Sequence, residues 1–177
     1  MHGVNHEKHV RKKLSAMDLE PILFLLTSLE DGPQWTLQQA RSAEQWYRRF
    51  HRLIHQYPSH AIVPTKAIDE FWHLHIMDTQ KYANDCLYLH GHFVHHFPYF
   101  GVRGPRDRAD LIDTFRQTMQ LFEHEYGESP EQIEALFGRD TQDASVICGK
   151  CKSPPDATHF DKRPQLPHDV ETLLDAI

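Results

Sequence analysis

Cysteine, glycine and long apolar runs are all scarce in this chain. Three cysteines in 177 residues are too few for a disulfide framework and odd in number, which favours a reducing compartment. Eight glycines form no GxxxxGK[ST], GxGxxG or GxSxG element, so no phosphate loop, dinucleotide fingerprint or serine-hydrolase elbow is present. The best apolar run, Ile22-Leu23-Phe24-Leu25-Leu26, is five residues long, whereas a membrane helix needs about 18. The start, Met1 to Lys13, is polar and basic and carries no secretory signal pattern. Basic residues are outnumbered, 19 Lys and Arg against 25 Asp and Glu. The net charge of −6 therefore argues against a general nucleic-acid binder, which would carry a basic stripe. The expectation is a cytoplasmic protein with no nucleic-acid or membrane partner. A small molecule or another protein is left as partner, with nothing to identify it.

What the chain has in excess is histidine. Fifteen imidazoles, about one residue in twelve, exceed what a soluble domain ordinarily carries.

Helical periodicity dominates the pattern. Leu19, Ile22, Leu23, Leu26 and Leu29 recur at helical spacing, with Pro21 in the first turn and Asp31-Gly32-Pro33 as a stop. Thr36 and Gln39 form a capping-box signature ahead of Ala40, Ala43, Trp46, Tyr47, Phe50, Leu53 and Ile54, and Pro58 ends that helix. Thr65 is placed to cap a third helix, with a break near Met77. Asp78 or Thr79 opens a fourth, which closes at Gly91. Pro105 to Gly127 is a long helix and Ser129 to Gly138 a short one; Asp169 to Ala176 is a further short helix. Residues 92–104, rich in aromatics and His, read as an ordered loop. The fold class is mainly α, a compact bundle of about five or six helices. It divides into a basic N-terminal arm (1–17), a helical His-rich domain (18–138) and a loop-rich tail (139–177).

Six histidines crowd one stretch: His73, His75, His90, His92, His95 and His96. Imidazole is a common neutral ligand for borderline metals, and three or four converging groups make a site. The helix-turn-helix-loop path would let His73 and His75 face His95 and His96. His73 and His75 are two apart, about 200° round a helix, so both reach one ion only if the helix unwinds after His73. Otherwise one is a ligand and the other packs elsewhere. Asp69, one turn before His73, and Asp85 are carboxylates suited to holding the outer ring nitrogens. His90 and His92 each lie beside a Gly turn and read as exposed.

The run Ile68-Asp69-Glu70-Phe71-Trp72-His73-Leu74-His75, then Tyr82, Asp85-Cys86, Gly91 and His95-His96, resembles the core of the glycine-rich domain-containing protein-like family. Plant members carry a D-x-x-W-H-x-H run, then a Tyr, a D-C pair, a Gly and a His. Small bacterial relatives carry a H-H-x-P-Y-F-G stretch like His95 to Gly101. The resemblance spans about residues 60 to 105 and does not extend to a glycine-rich tail. It implies a compact α domain and shared site positions, and no particular reaction.

Other signals are thinner. His51 and His55 are i,i+4 but sit among Arg48, Arg49 and Arg52, which suggests a solvated face; HExxH and its Glu base are missing, so a zincin protease is unsupported. Cys148-Gly149-Lys150-Cys151 is half of a zinc ribbon, a separate thiol site that His159, a second chain or nothing at all could complete. Cys86 reads as a small buried residue. Phe93, Phe97, Tyr99 and Phe100 either wall an apolar pocket or lock the loop. The functional expectation is a helical domain binding a transition metal, zinc first and iron or copper otherwise. His73, His75, His95 and His96 are its ligands, and a zinc hydrolytic or non-haem oxidative enzyme is one outcome. The alternatives are a non-catalytic interaction module with structural histidines and a pH sensor.

Overall fold

The computed structural model describes residues 2–28, 30 and 32–139. Leu29, Cys148, Cys151, His159 and the helix expected over Asp169 to Ala176 lie outside the described residues. Among the described residues, seven α-helices follow in order and no strand occurs. They are α1 (His2–Ala16), α2 (Glu20–Thr27), α3 (Leu37–Gln56), α4 (Lys66–Met77), α5 (Thr79–His90), α6 (Pro105–Tyr126) and α7 (Glu131–Glu134). A 3-10 turn over Ala135–Phe137 completes them. The mainly α class is as the periodicity implies.

Local signals act where they stand. At the start of α3, the Thr36 hydroxyl accepts from the Gln39 N–H at 3.2 Å, and the Gln39 side chain accepts from the Thr36 N–H at 2.8 Å. Asp78 caps α5 through the Lys81 N–H at 3.2 Å. Gly91 ends α5 at φ 79°, a left-handed backbone that a Cβ would disfavour.

Two segments depart from expectation. Within residues 1–17, read as a basic arm, His2–Ala16 form α1, and Val10, Leu14 and Met17 are buried. Their spacing of four and three makes one helical face. Three apolar residues among charges are a faint signal, and docking depends on α3, whose Arg48 guanidinium donates to the Leu14 and Met17 carbonyls. Thr65 does occupy the N-cap of α4, but its hydroxyl makes no capping bond. The α4 N-terminus is served from 67 residues away instead. Buried Glu134 accepts from the Ala67 N–H at 2.8 Å and pairs with Arg139, which also grips Glu70.

Helix α3 is central, packing on α1, α2, α4 and α7. Tyr47, Phe50, Phe71 and Trp72 are buried together where α3 meets α4. Each buried Phe contributes about 1.5–3 kcal/mol. With Ala67, Ile68, Phe71 and Trp72 committed to this core, the opposite side of α4 carries Asp69 and His73 towards the loop after α5.

That loop is anchored at three points, Val94, Phe97 and Phe100, all buried. The Trp72 indole N–H donates to the Tyr82 hydroxyl at 2.9 Å, which donates to the Val94 carbonyl at 2.6 Å. Asp107, in the first turn of α6, accepts from the N–H groups of Gly101 (2.6 Å) and Arg103 (3.1 Å) and from the Arg103 guanidinium. The loop is thus tied at both ends to helices.

Candidate metal centre

Asp69 and His73 lie one turn apart on α4 and therefore share a face. His96 is delivered to them by the anchored loop and lies edge-on to Trp72, with ring centroids 4.6 Å apart. The two Nε2 atoms of His73 and His96 are 2.9 Å apart. Asp69 turns one carboxylate oxygen to each ring: Oδ1 stands 3.3 Å from His96 Nε2 and Oδ2 stands 3.4 Å from His73 Nε2. One donor atom from each residue lies within 4.8 Å of the others, so the group could hold a metal ion. Ligand atoms about 2.0–2.2 Å from a tetrahedral ion stand roughly 3.3 Å apart. The His73–His96 separation is about 0.4 Å short of that edge length, while each imidazole stands at about that distance from a different oxygen of the Asp69 carboxylate. His96 Nε2 is within hydrogen-bond distance of both His73 Nε2 (2.9 Å) and Asp69 Oδ1 (3.3 Å).

Burial is graded across the group. Asp69 is buried and His96 nearly so, while the His73 side chain is 49% exposed. An open cleft of about 570 Å³ adjoins it. His73, His95 and His96 form its polar end, and Ile76, Met77, Tyr82, Phe93 and Pro98 its apolar wall. The aromatic run therefore splits between the two roles proposed for it: Phe97 and Phe100 lock the loop, and Phe93 lines the cleft.

The other expected site residues fall elsewhere. Helix α4 does not unwind after His73, so His75 faces the core, 0% exposed, with both ring nitrogens engaged. Its Nδ1 is 2.9 Å from the Tyr47 hydroxyl and its Nε2 is 3.0 Å from Asp85 Oδ2. Asp85 serves His75 and Lys81 rather than the Asp69 group. Burial works to raise the Asp85 carboxyl, but the bonds from His75 and Lys81 outweigh it and hold the pKa below its ordinary value. His95 is exposed beside the Phe93 ring and lines the cleft outside the three-residue group. Asp69, expected as an outer partner, is itself one of the three residues whose donor atoms converge and could hold an ion. Cys86 is buried as expected, and burial raises its thiol pKa.

The model of the UCP032817-like family matches residues 14–145, well over half of the chain. The chain belongs to that family. The matched span of this UCP032817-like protein takes in the whole Asp69, His73 and His96 group and the helices that position it. No curated protein and no solved structure matches the chain.

A further histidine group escaped the sequence reading. His51, taken for a surface residue, is 2% exposed and its Nδ1 lies 2.9 Å from His90 Nε2. His90 is likewise not open to solvent but half-buried between α3 and the end of α5. The i,i+4 pair on α3 was the available signal, and the neighbouring arginines obscured it. Arg52 is itself buried, its guanidinium lying over the Tyr126 ring.

Proposed function

We propose that this protein is a metal-dependent domain whose ion is held by Asp69, His73 and His96, with its remaining coordination positions turned towards the apolar cleft. The observation that carries this is the convergence of one carboxylate and two imidazoles, a donor atom of each lying within 4.8 Å of the others. Two histidines and one carboxylate suit zinc in a hydrolytic site and iron(II) in a non-haem oxidative site. Bound there, the ion would supply Lewis-acid polarisation or redox chemistry. The chain's own residues would hold it, shield one side with Trp72, and receive an apolar small molecule against Phe93, Met77 and Pro98. His95 at the rim is placed to exchange protons with such a molecule. Zinc is the first candidate. The odd, small number of cysteines supports a cytoplasmic setting, and no helix among the described residues is long and apolar enough to cross a membrane. The likeness to the glycine-rich domain-containing protein-like family is, in this proposal, one of shared site positions at Asp69, His73 and His96.

A specific observation favours a second reading, a non-catalytic module with structural histidines. The three side chains satisfy one another by hydrogen bonds and could tie the loop to α4 with no ion. Elemental analysis and thermal melts separate the two, using untagged wild type, Asp69→Asn, His73→Ala and His96→Ala with added zinc or anaerobic iron(II). A metal domain takes up one ion that the three variants lose. Wild type then gains more stability from added metal than the variants do, by about 2.7 kcal/mol with this site at a hundred times Kd. Equal metal in all four proteins, or melts indifferent to metal and chelator, would leave the structural module.

A further inference from the structure

The second histidine group centres on His90. Its ring centroid lies 5.2 Å from that of His51, 5.8 Å from His55 and 5.8 Å from His92. Two of these rings come from adjacent turns of α3 and two from either side of Gly91, so the end of α5 brings them together. His90 Nε2 is engaged with His51 Nδ1 at 2.9 Å, while His90 Nδ1 is buried with no partner. On the other side of that bond, His51 Nε2 is also buried and unpartnered. A buried polar atom left unsatisfied is destabilising, so an orphaned nitrogen in a crowd of imidazoles calls for a ligand.

We infer that His55, His90 and His92 form a second metal site for a borderline divalent transition ion, with His51 fixing the tautomer of His90. A metal-bound imidazole characteristically donates its other ring N–H to a neighbour, which is what the His90 Nε2 to His51 Nδ1 bond supplies. It leaves a lone pair on Nδ1. Two rings on one tetrahedral ion, with metal–nitrogen distances near 2.0–2.1 Å, have centroids roughly 5 Å apart, close to the separations around His90. Among the described residues only the Asp69 group already has three donor atoms within 4.8 Å of one another, so here the outer rings must swing inwards. His92 is exposed and His55 half-buried, so rotation of their side chains does not disturb the core.

The test is zinc stoichiometry by equilibrium dialysis on the full chain carrying Cys148→Ser and Cys151→Ser, so that those thiols add nothing. Two equivalents are expected in this parent and one in His96→Ala. His92→Ala and His55→Ala should each hold one, at zinc concentrations that saturate the parent, and His92→Ala with His96→Ala should hold none. Circular dichroism of the His92 variant, altered at an exposed position, checks that the fold is kept. If the His92 and His55 variants both bind as much zinc as the parent, the inference is overturned. A single equivalent lost with His96→Ala overturns it too. A single equivalent kept in His96→Ala and lost in His92→Ala upholds this site and removes the Asp69 one.

Discussion

Replacing Tyr47 by Phe deletes one oxygen and tests whether His75 is a structural residue or a ligand. In the folded chain Asp85 accepts the His75 Nε2 proton, so Nδ1 is left as an acceptor and the Tyr47 hydroxyl donates to it at 2.9 Å. Both residues are 0% exposed, and no solvent can replace the lost donor. Stranding a buried acceptor costs about 1–3 kcal/mol, while the ring of Phe fills nearly the same space. For a domain of this size, each kcal/mol lowers Tm by roughly 3 °C, so a fall of roughly 3–9 °C is expected. Thermal denaturation followed by tryptophan fluorescence measures the loss, and a parallel zinc titration measures affinity. Because His75 lies outside the Asp69, His73 and His96 group, the zinc Kd should not move. A melting temperature unchanged within a degree would refute the hydrogen-bond accounting. A tenfold weaker zinc Kd would show that the His75 ring does reach the ion.

Further expectations concern the scaffold around the site. Glu134→Ala strands the α4 N-terminus and takes one partner from Arg139; a loss of about 3 kcal/mol in chemical denaturation is expected, with no loss pointing to a redundant cap. Gly91→Ala places a Cβ in open space, so only the left-handed backbone opposes it, and about 1–2 kcal/mol of stability should go. At Asp107, burial works to raise the carboxyl, but bonds from Arg103 and from the N–H of Gly101 prevail and lower it. Its contribution is therefore complete above the unfolded value near 3.9 and disappears as pH falls through the folded one. Asp107→Asn should accordingly flatten the stability loss as pH falls below about 4 in melts recorded across the acid range. Parallel curves for wild type and variant would contradict this.

Much of the candidate site was legible before any coordinates. Asp69 and His73 are four residues apart in a helical pattern, which alone puts both on one face. His96 belonged to the histidine pairs singled out, although its choice over His95 could not be made from spacing. That choice follows from the loop register: Val94, Phe97 and Phe100 turn inwards, and this leaves His96 beside Trp72 while His95 faces out. His75 shows the converse. Its 200° offset from His73 posed the question, and only the unbroken run of α4 to Met77 answered it.

The positions of α2 to α6, the Thr36 capping box and the Gly91 stop were determined by sequence alone, because hydrophobic period and capping act over one or two turns of the chain. The tertiary structure decided everything that joins distant residues: Glu134 serving the start of α4, His90 meeting His51, and Asp69 standing within reach of both His73 and His96. Such pairings depend on how helices cross and how a loop is anchored. No short-range pattern encodes them, since the free energy that selects them comes from packing the whole core at once.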